Sequence, residues 1–211
     1  MARKPPRIYV LAGVNGAGKS SVGGAMLRAA GATYFDPDEA AKAVIAANPG
    51  LDQIKANAAA WRQGKRLLDK AIRERLDFAF ETTLGGSTMA RLLGDAAAQG
   101  TEVRIWYVGL ASPEDHIARV AQRVRQGGHD IPEGTIRRRW RHSRQNLIQL
   151  LPALTELRVY DNSGHADPAA GETPEPTLVL HFARGDILGP SDLSVTPQWA
   201  KPIVAAALKM S

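Results

Sequence analysis

Residues 7–12, Arg-Ile-Tyr-Val-Leu-Ala, form a short, almost unbroken apolar run. Such a run predicts a strand of a parallel sheet, buried on both faces. After it the period changes. Ser20 to Ala30 places Val22, Met26 and Leu27 at helical spacing, and Ala32 to Phe35 returns to a short strand. Residues 39–47 are alanine-rich and predicted helical until Asn48-Pro49-Gly50 interrupts them. A long helix is expected over Ile54–Leu76, with Trp61, Leu67, Leu68 and Ile72 as its apolar positions. Phe78-Ala79-Phe80 predicts a strand ending at Glu81, and Met89–Gln99 a helix stopped by Gly100.

The second half continues the alternation. Val103–Val108 and Arg158–Tyr160 are predicted strands, and between them lie two arginine-rich helices, about 114–126 and 133–151. Residues 164–176 are rich in Pro, Ala and Gly and predict an exposed loop. Thr177–Phe182 is expected to be the last strand and Ala200–Lys209 a terminal helix. Strands alternating with helices predict an α/β fold, with a mostly parallel sheet covered by helices on both faces. In such sheets ligands bind beyond the carboxyl ends of the strands.

Composition narrows the picture. The chain of 211 residues suits one domain over 1–211. It has no cysteine, which excludes disulfides, thiolate metal sites and cysteine nucleophiles. No apolar stretch reaches membrane-spanning length. The basic start and short apolar core of MARKPPRIYVLAG run into Asn15-Gly16 instead of a cleavage site, so a cytoplasmic location is expected. Net charge is +6, and eight of the 19 arginines fall between 119 and 144. A clustered excess favours a local polyanionic ligand over a uniform basic coat. No aromatic platform is interleaved with that cluster, which argues against single-stranded nucleic acid.

The glycine-rich segment after the first strand carries the chemistry. Gly13-Val14-Asn15-Gly16-Ala17-Gly18-Lys19-Ser20 satisfies the P-loop spacing, followed by Ser21. In that motif backbone N–H groups surround phosphate oxygens, the lysine reaches the β- and γ-phosphates, and the serine coordinates Mg²⁺. No Asn-Lys-x-Asp segment accompanies it, and a kinase-like P-loop sandwich fits the length better than a motor. A kinase also needs a base for the acceptor hydroxyl, a substrate pocket and mobile positive charge. Asp38, after the second strand, is either that base or a helix N-cap. Glu81, after the third, is a candidate for Mg²⁺ through water or for a substrate hydroxyl, or else a solvated loop carboxylate. Arg119 and Arg123 share one helical face, and Gly127-Gly128 before His129 gives a lid, about 114–145, its flexibility.

In chain order GVNGAGKSS, FDPDEAA, FAFETTLGG, RVAQRVRQGGHDIPEGTIRRR and VYDNS resemble the zeta-toxin family of P-loop kinases, in particular its short branch of zeta-toxin-domain proteins or predicted ATPases. The resemblance runs from about Ile8 to Ser163. It implies ATP and Mg²⁺ as cofactors, the 3′-hydroxyl of UDP-N-acetylglucosamine as acceptor, and an antitoxin as protein partner. It further implies Asp38 as catalytic base and Glu81 with Thr83 as substrate contacts. Arg123 matches a phosphate-contacting arginine, with Arg119 the nearby alternative and a candidate substrate contact. His129 stands where a second phosphate arginine is expected, and Gly85 stands where the toxins carry an arginine. Asp161-Asn162-Ser163 falls where P-loop kinases often place a base-binding loop. The residues by themselves leave open a kinase of another small hydroxyl substrate or a nucleic-acid end, and a non-catalytic ATP-binding partner protein.

Overall fold

The computed structural model describes residues 4–19, 22–23, 33–164 and 175–211. Strand β1 (Arg7–Ala12) is buried from Ile8 onward on both faces, as a continuous apolar run requires. It lies between β3 (Phe78–Thr82) and β4 (Glu102–Gly109), parallel to both. The seven strands form one sheet in the order β2-β3-β1-β4-β5-β6-β7, with β2 at Thr33–Phe35 and β5 at Glu156–Asp161. The first five are parallel. The last two, β6 (Thr177–Ala183) and β7 (Asp186–Gly189), extend the sheet antiparallel from β5.

The crossovers supply the helices: α1 (Pro37–Ala47), α2 (Gln53–Glu74), α3 (Ser87–Ala98), α4 (Pro113–Arg125), α5 (Glu133–Leu150) and α6 (Lys201–Leu208). The larger core lies on the sheet face of Ile8, Val10 and Ile105, where Leu68 of α2, Leu93 of α3, Leu147 of α5 and Ile203 of α6 pack. The opposite face buries Tyr9, Leu11, Ala79 and Val108 in a smaller cluster with Val22. Among the described residues no helix is long and apolar enough to cross a membrane.

The predicted elements within the described residues are present, with ends shifted by at most two residues. Most of the expected helix at Ser20–Ala30, all but residues 22–23, and most of the loop at 164–176 lie outside the described residues. Helix α2 stops at Glu74 because Arg75 adopts the left-handed conformation, φ 54°, and returns its N–H to the last turn. Strand β7, only four residues long, was not expected.

The topology sets the site. Strand order reverses at β1, whose neighbours leave the sheet in opposite directions along the chain, and a ligand crevice opens at such a switch point. Gly13, Asp36 and Thr83 follow the carboxyl ends of β1, β2 and β3, so three separate segments meet at one edge.

Candidate active site

The loop after β1 is held from behind. Its Val14 carbonyl accepts from Ala17 N–H at 3.1 Å and its Gly18 carbonyl from Val22 N–H at 3.2 Å. The Asn15 carbonyl meets Nδ1 of His116 at 2.9 Å, and the Ala17 carbonyl accepts from the Asn162 side-chain amide at 2.9 Å. With four carbonyls engaged in this way, the loop is arranged to present N–H groups to an anion. Gly16 and Gly18 both have φ 82°, where a side chain is strained. A Cβ on Gly16 would also stand 2.7 Å from the His116 carbonyl, and one on Gly18 would strike the Asn162 amide.

His116 is buried, with 1% of its surface exposed. Burial pushes its pKa down from 6.5 to about 4, and the nearby positive charges of Lys19 and Arg119 act the same way against the Asn15 contact. The ring is therefore neutral at pH 7, and Nδ1–H donates to Asn15. Asn162 is buried as well, and its own carbonyl accepts from Arg119 Nη2 at 2.7 Å. The 161–163 segment thus braces the loop. Asp161 accepts from Ser163 Oγ at 2.5 Å and from Trp199 Nε1 at 3.1 Å.

A cavity of about 930 Å³ opens in front of the loop, lined by Asn15, Lys19, Asp38, Glu81, Thr83 and His129 together with parts of α2 and α5. Lys19 and Glu81 are both largely buried and pair at 3.3 Å, and Glu81 also accepts from the Tyr34 hydroxyl at 3.1 Å. The two possibilities for Asp38 separate here. Asp36 is the N-cap of α1, accepting from Asp38 N–H at 2.8 Å and Glu39 N–H at 3.4 Å. Asp38 itself is left with a half-exposed carboxylate at the cavity, 3.7 Å from Arg123 Nη1.

The lid begins with a capping box at Ser112 and Asp115, which starts α4. Arg123, near the end of that helix, reaches Asp38 and donates to the His129 carbonyl at 3.2 Å. His129 lines the cavity, and Arg123 stands behind Asp38. Arg119 is turned to the back of the loop, where it holds Asn162, and does not line the cavity.

Arg139 was not among the residues expected to act. It lines the cavity and donates from Nη1 to Asn15 Oδ1 at 2.7 Å. Its stem lies on Gly85, where a Cβ would come within 2.7 Å of Arg139 Cγ. The glycine that replaces an expected arginine therefore makes room for a guanidinium delivered by α5. Burial lowers the Arg139 pKa from its usual value, and Arg138 adds to the effect. Among the described residues no carboxylate pairs with Arg139 within 4 Å, so this partly desolvated charge is suited to an incoming anion. Its neighbour Arg137 instead pairs with Glu114 at 2.5 Å, outside the cavity.

Ser20 and Ser21 lie outside the described residues. Among those described, no three His, Asp or Glu side chains gather to hold a metal ion.

Residues 1–167 match the family model described as Zeta toxin. An uncharacterized protein of Haemophilus influenzae Rd is 31% identical over 128 residues, which is 61% of this chain and 88% of that one. The structure of AvrRxo1-ORF1:-ORF2 with ATP superposes with a TM-score of 0.66 at 14% identity, covering 96% of this chain and 64% of that one. The PezAT chromosomal toxin-antitoxin system of Streptococcus pneumoniae gives 0.57 at 15% identity, covering 99% and 86%. At these identities the two structures bear on the fold, a P-loop kinase-like sandwich.

Proposed function

The chain belongs to the Zeta toxin family, and from that premise we propose that it is an ATP-dependent kinase acting on a hydroxyl of a small molecule, a UDP-activated amino sugar such as UDP-N-acetylglucosamine. The observation that carries the reading is Asp38. Relieved of capping by Asp36, it lines the same cavity as Lys19 and Asn15 of the phosphate loop.

The loop fits a triphosphate, because its carbonyls are engaged and its glycines leave no room for side chains. Lys19, now paired with Glu81, is placed to exchange that partner for phosphate oxygens. Mg²⁺ would supply positive charge on the β- and γ-oxygens, held by Ser20 according to the motif. Asp38 accepts the acceptor's hydroxyl proton as the new P–O bond forms and the bond to the β–γ bridging oxygen breaks, leaving ADP. Arg139 neutralises charge on the transferring group, joined by Arg123 when it leaves Asp38 for the cavity, and Glu81 and Thr83 accept hydrogen bonds from the sugar hydroxyls.

The structural neighbours are a two-protein AvrRxo1 complex and a toxin-antitoxin system. They support an antitoxin as protein partner, and a UDP-sugar kinase would work in the cytoplasm.

The test is a screen of hydroxyl acceptors with labelled ATP, using Lys19→Ala as blank. UDP-N-acetylglucosamine should be labelled, and Asp38→Asn should lower turnover by about 10²-fold or more while ATP still binds. Full turnover by Asp38→Asn would remove the base from the proposal. A wild-type protein that labels only other acceptors would remove the amino sugar.

A further inference from the structure

Behind the phosphate loop the chain makes a tight turn whose geometry is set from outside the site. Asp161 ends β5, and its Oδ1 accepts from the Ser163 N–H at 3.2 Å as well as from the Ser163 hydroxyl. A bond from a side chain to the backbone two residues on closes a turn and fixes the direction of the residue between, here Asn162. That residue is heavily engaged. Its N–H donates to the Gly109 carbonyl at 3.0 Å, its carbonyl accepts from Arg119, and its side-chain amide donates to the Ala17 carbonyl of the loop. The turn also reaches the lid, because Ser163 Oγ accepts from Ala111 N–H at 2.7 Å, one residue before the cap of α4.

A third donor reaches the same carboxylate oxygen. Trp199, 3% exposed and just ahead of α6, donates to it from Nε1 at 3.1 Å. The indole lies so close to the end of β4 that a Cβ on Gly109 would stand 2.4 Å from it, and Tyr107 packs beside it with ring centroids 6.2 Å apart. The Trp199 carbonyl accepts from Arg144 Nη1 at 3.0 Å, and Arg144 in turn lies on the Trp140 ring of α5. With the indole held on these sides, the carboxylate takes its position from the indole and not the reverse. Any large ring would fill the same space. Only the N–H speaks to Asp161.

We infer that Trp199 is a positioning residue for the ATP site, acting through Asp161 and Asn162 on the phosphate loop. Without its N–H the Asp161 carboxylate turns toward water and the turn at Asn162 loosens. The Ala17 carbonyl then loses the donor that holds it away from the anion. A loop carbonyl free to swing forward opposes phosphate oxygens, so the effect falls on affinity for the donor nucleotide. Trp199 does not line the cavity, and it stands outside the residues 1–167 that match the family. The C-terminal segment thereby serves the nucleotide site as well as the core. The inference rests on the loop holding a triphosphate, and is independent of which hydroxyl receives the phosphoryl group.

Calorimetry on the full chain tests it, with Mg²⁺ and a non-hydrolysable ATP analogue and no acceptor, beside the melting temperature of each variant. Trp199→Phe keeps a ring and removes the N–H, and should weaken the analogue about 5- to 10-fold. Asp161→Ala removes the acceptor instead and should weaken it at least as much, while the double variant should lose no more than Asp161→Ala alone. Asp161→Asn keeps an acceptor oxygen for the indole and for Ser163, and should stay within about 2-fold of wild type. Ile203→Val trims the same C-terminal core at a fully buried position. It should lower the melting temperature yet leave the analogue within about 2-fold of wild type. The role is overturned if Trp199→Phe binds like wild type, if Ile203→Val loses as much affinity as Trp199→Phe, or if the two losses multiply in the double variant. Should Trp199→Phe melt too early to titrate, wild-type affinity in Asp161→Ala overturns it as well. No acceptor is present, so failure of the amino-sugar reading leaves these affinities untouched and the two can fail separately.

Discussion

Arg139 and Asn15, 124 residues apart in the chain, are joined by a 2.7 Å hydrogen bond between the guanidinium and the side-chain oxygen. The bond ties the helix of the lid to the loop at the place where the transferring phosphoryl group would sit. Arg139→Ala should lower kcat by about 10²-fold with a smaller change in ATP affinity. Arg139→Lys should recover little, because one ammonium cannot reach Asn15 and an oxyanion together as a planar fork does. Gly85→Ala should reproduce much of the loss without altering any charge, since its methyl would occupy the space of the Arg139 stem. Steady-state kinetics on the three variants checks the argument.

Lys19 and Glu81 form a largely buried pair. Removing one partner of such a pair leaves the other charge desolvated, at a cost on the order of 3 kcal/mol. Glu81→Ala should therefore melt at a lower temperature than wild type. Added Mg-ATP should raise its melting temperature more than it raises that of wild type, because phosphate gives Lys19 a new counter-charge. Thermal unfolding with and without nucleotide measures both effects.

Asp36 and Asp38, two positions apart, should respond in opposite ways to substitution. Asp36→Ala removes the α1 cap and should cost about 1 kcal/mol of stability with a modest loss of activity. Asp38→Asn should leave stability nearly unchanged and remove most of the turnover. Denaturant unfolding beside kinetics on the same preparations separates the two roles.

His116 makes stability depend on pH. Its folded pKa, about 4, lies below the unfolded value near 6.5, so the unfolded chain takes up the proton first. Its contribution is complete above about pH 6.5 and is lost as pH falls toward 4. The size is about 3 kcal/mol from the shift. Denaturant unfolding between pH 7.5 and 4.5 should show this slope, and it should flatten in His116→Gln.

Much of the architecture could be read from the chain because the decisive signals are local. An apolar run too short for a buried helix, then glycines, a lysine and a helical period, defines β1 and the loop whatever surrounds them. Asp36 and Asp38 are equally good caps by type, and the proline that follows Asp36, at the first helical position, is the signal that decides between them. Signals that depend on direction were not legible. Arg137, Arg138 and Arg139 are identical in sequence, yet successive residues of a helix point about 100° apart. Arg137 therefore meets Glu114, and Arg138 and Arg139 meet the cavity. Trp61 reads as one more apolar position in the stripe with Leu67, Leu68 and Ile72. Leu68 is fully buried, while Trp61, two turns earlier on nearly the same face, lines the cavity and is 44% exposed. Strand β7 gives almost no pattern, because it is four residues long and sits at the sheet margin.

The supports behind the phosphate loop come from two distant parts of the chain: His116 in α4 and Asn162 after β5. The motif is therefore not portable. Transplanted into another strand-turn-helix scaffold, residues 13–20 would keep their glycines and lysine but lose the groups that turn their carbonyls away from the ligand. Tuning in this protein runs the opposite way. Changes at His116 or Asn162, neither of which lines the cavity, can adjust how strongly the loop grips an anion while leaving every residue of the signature untouched.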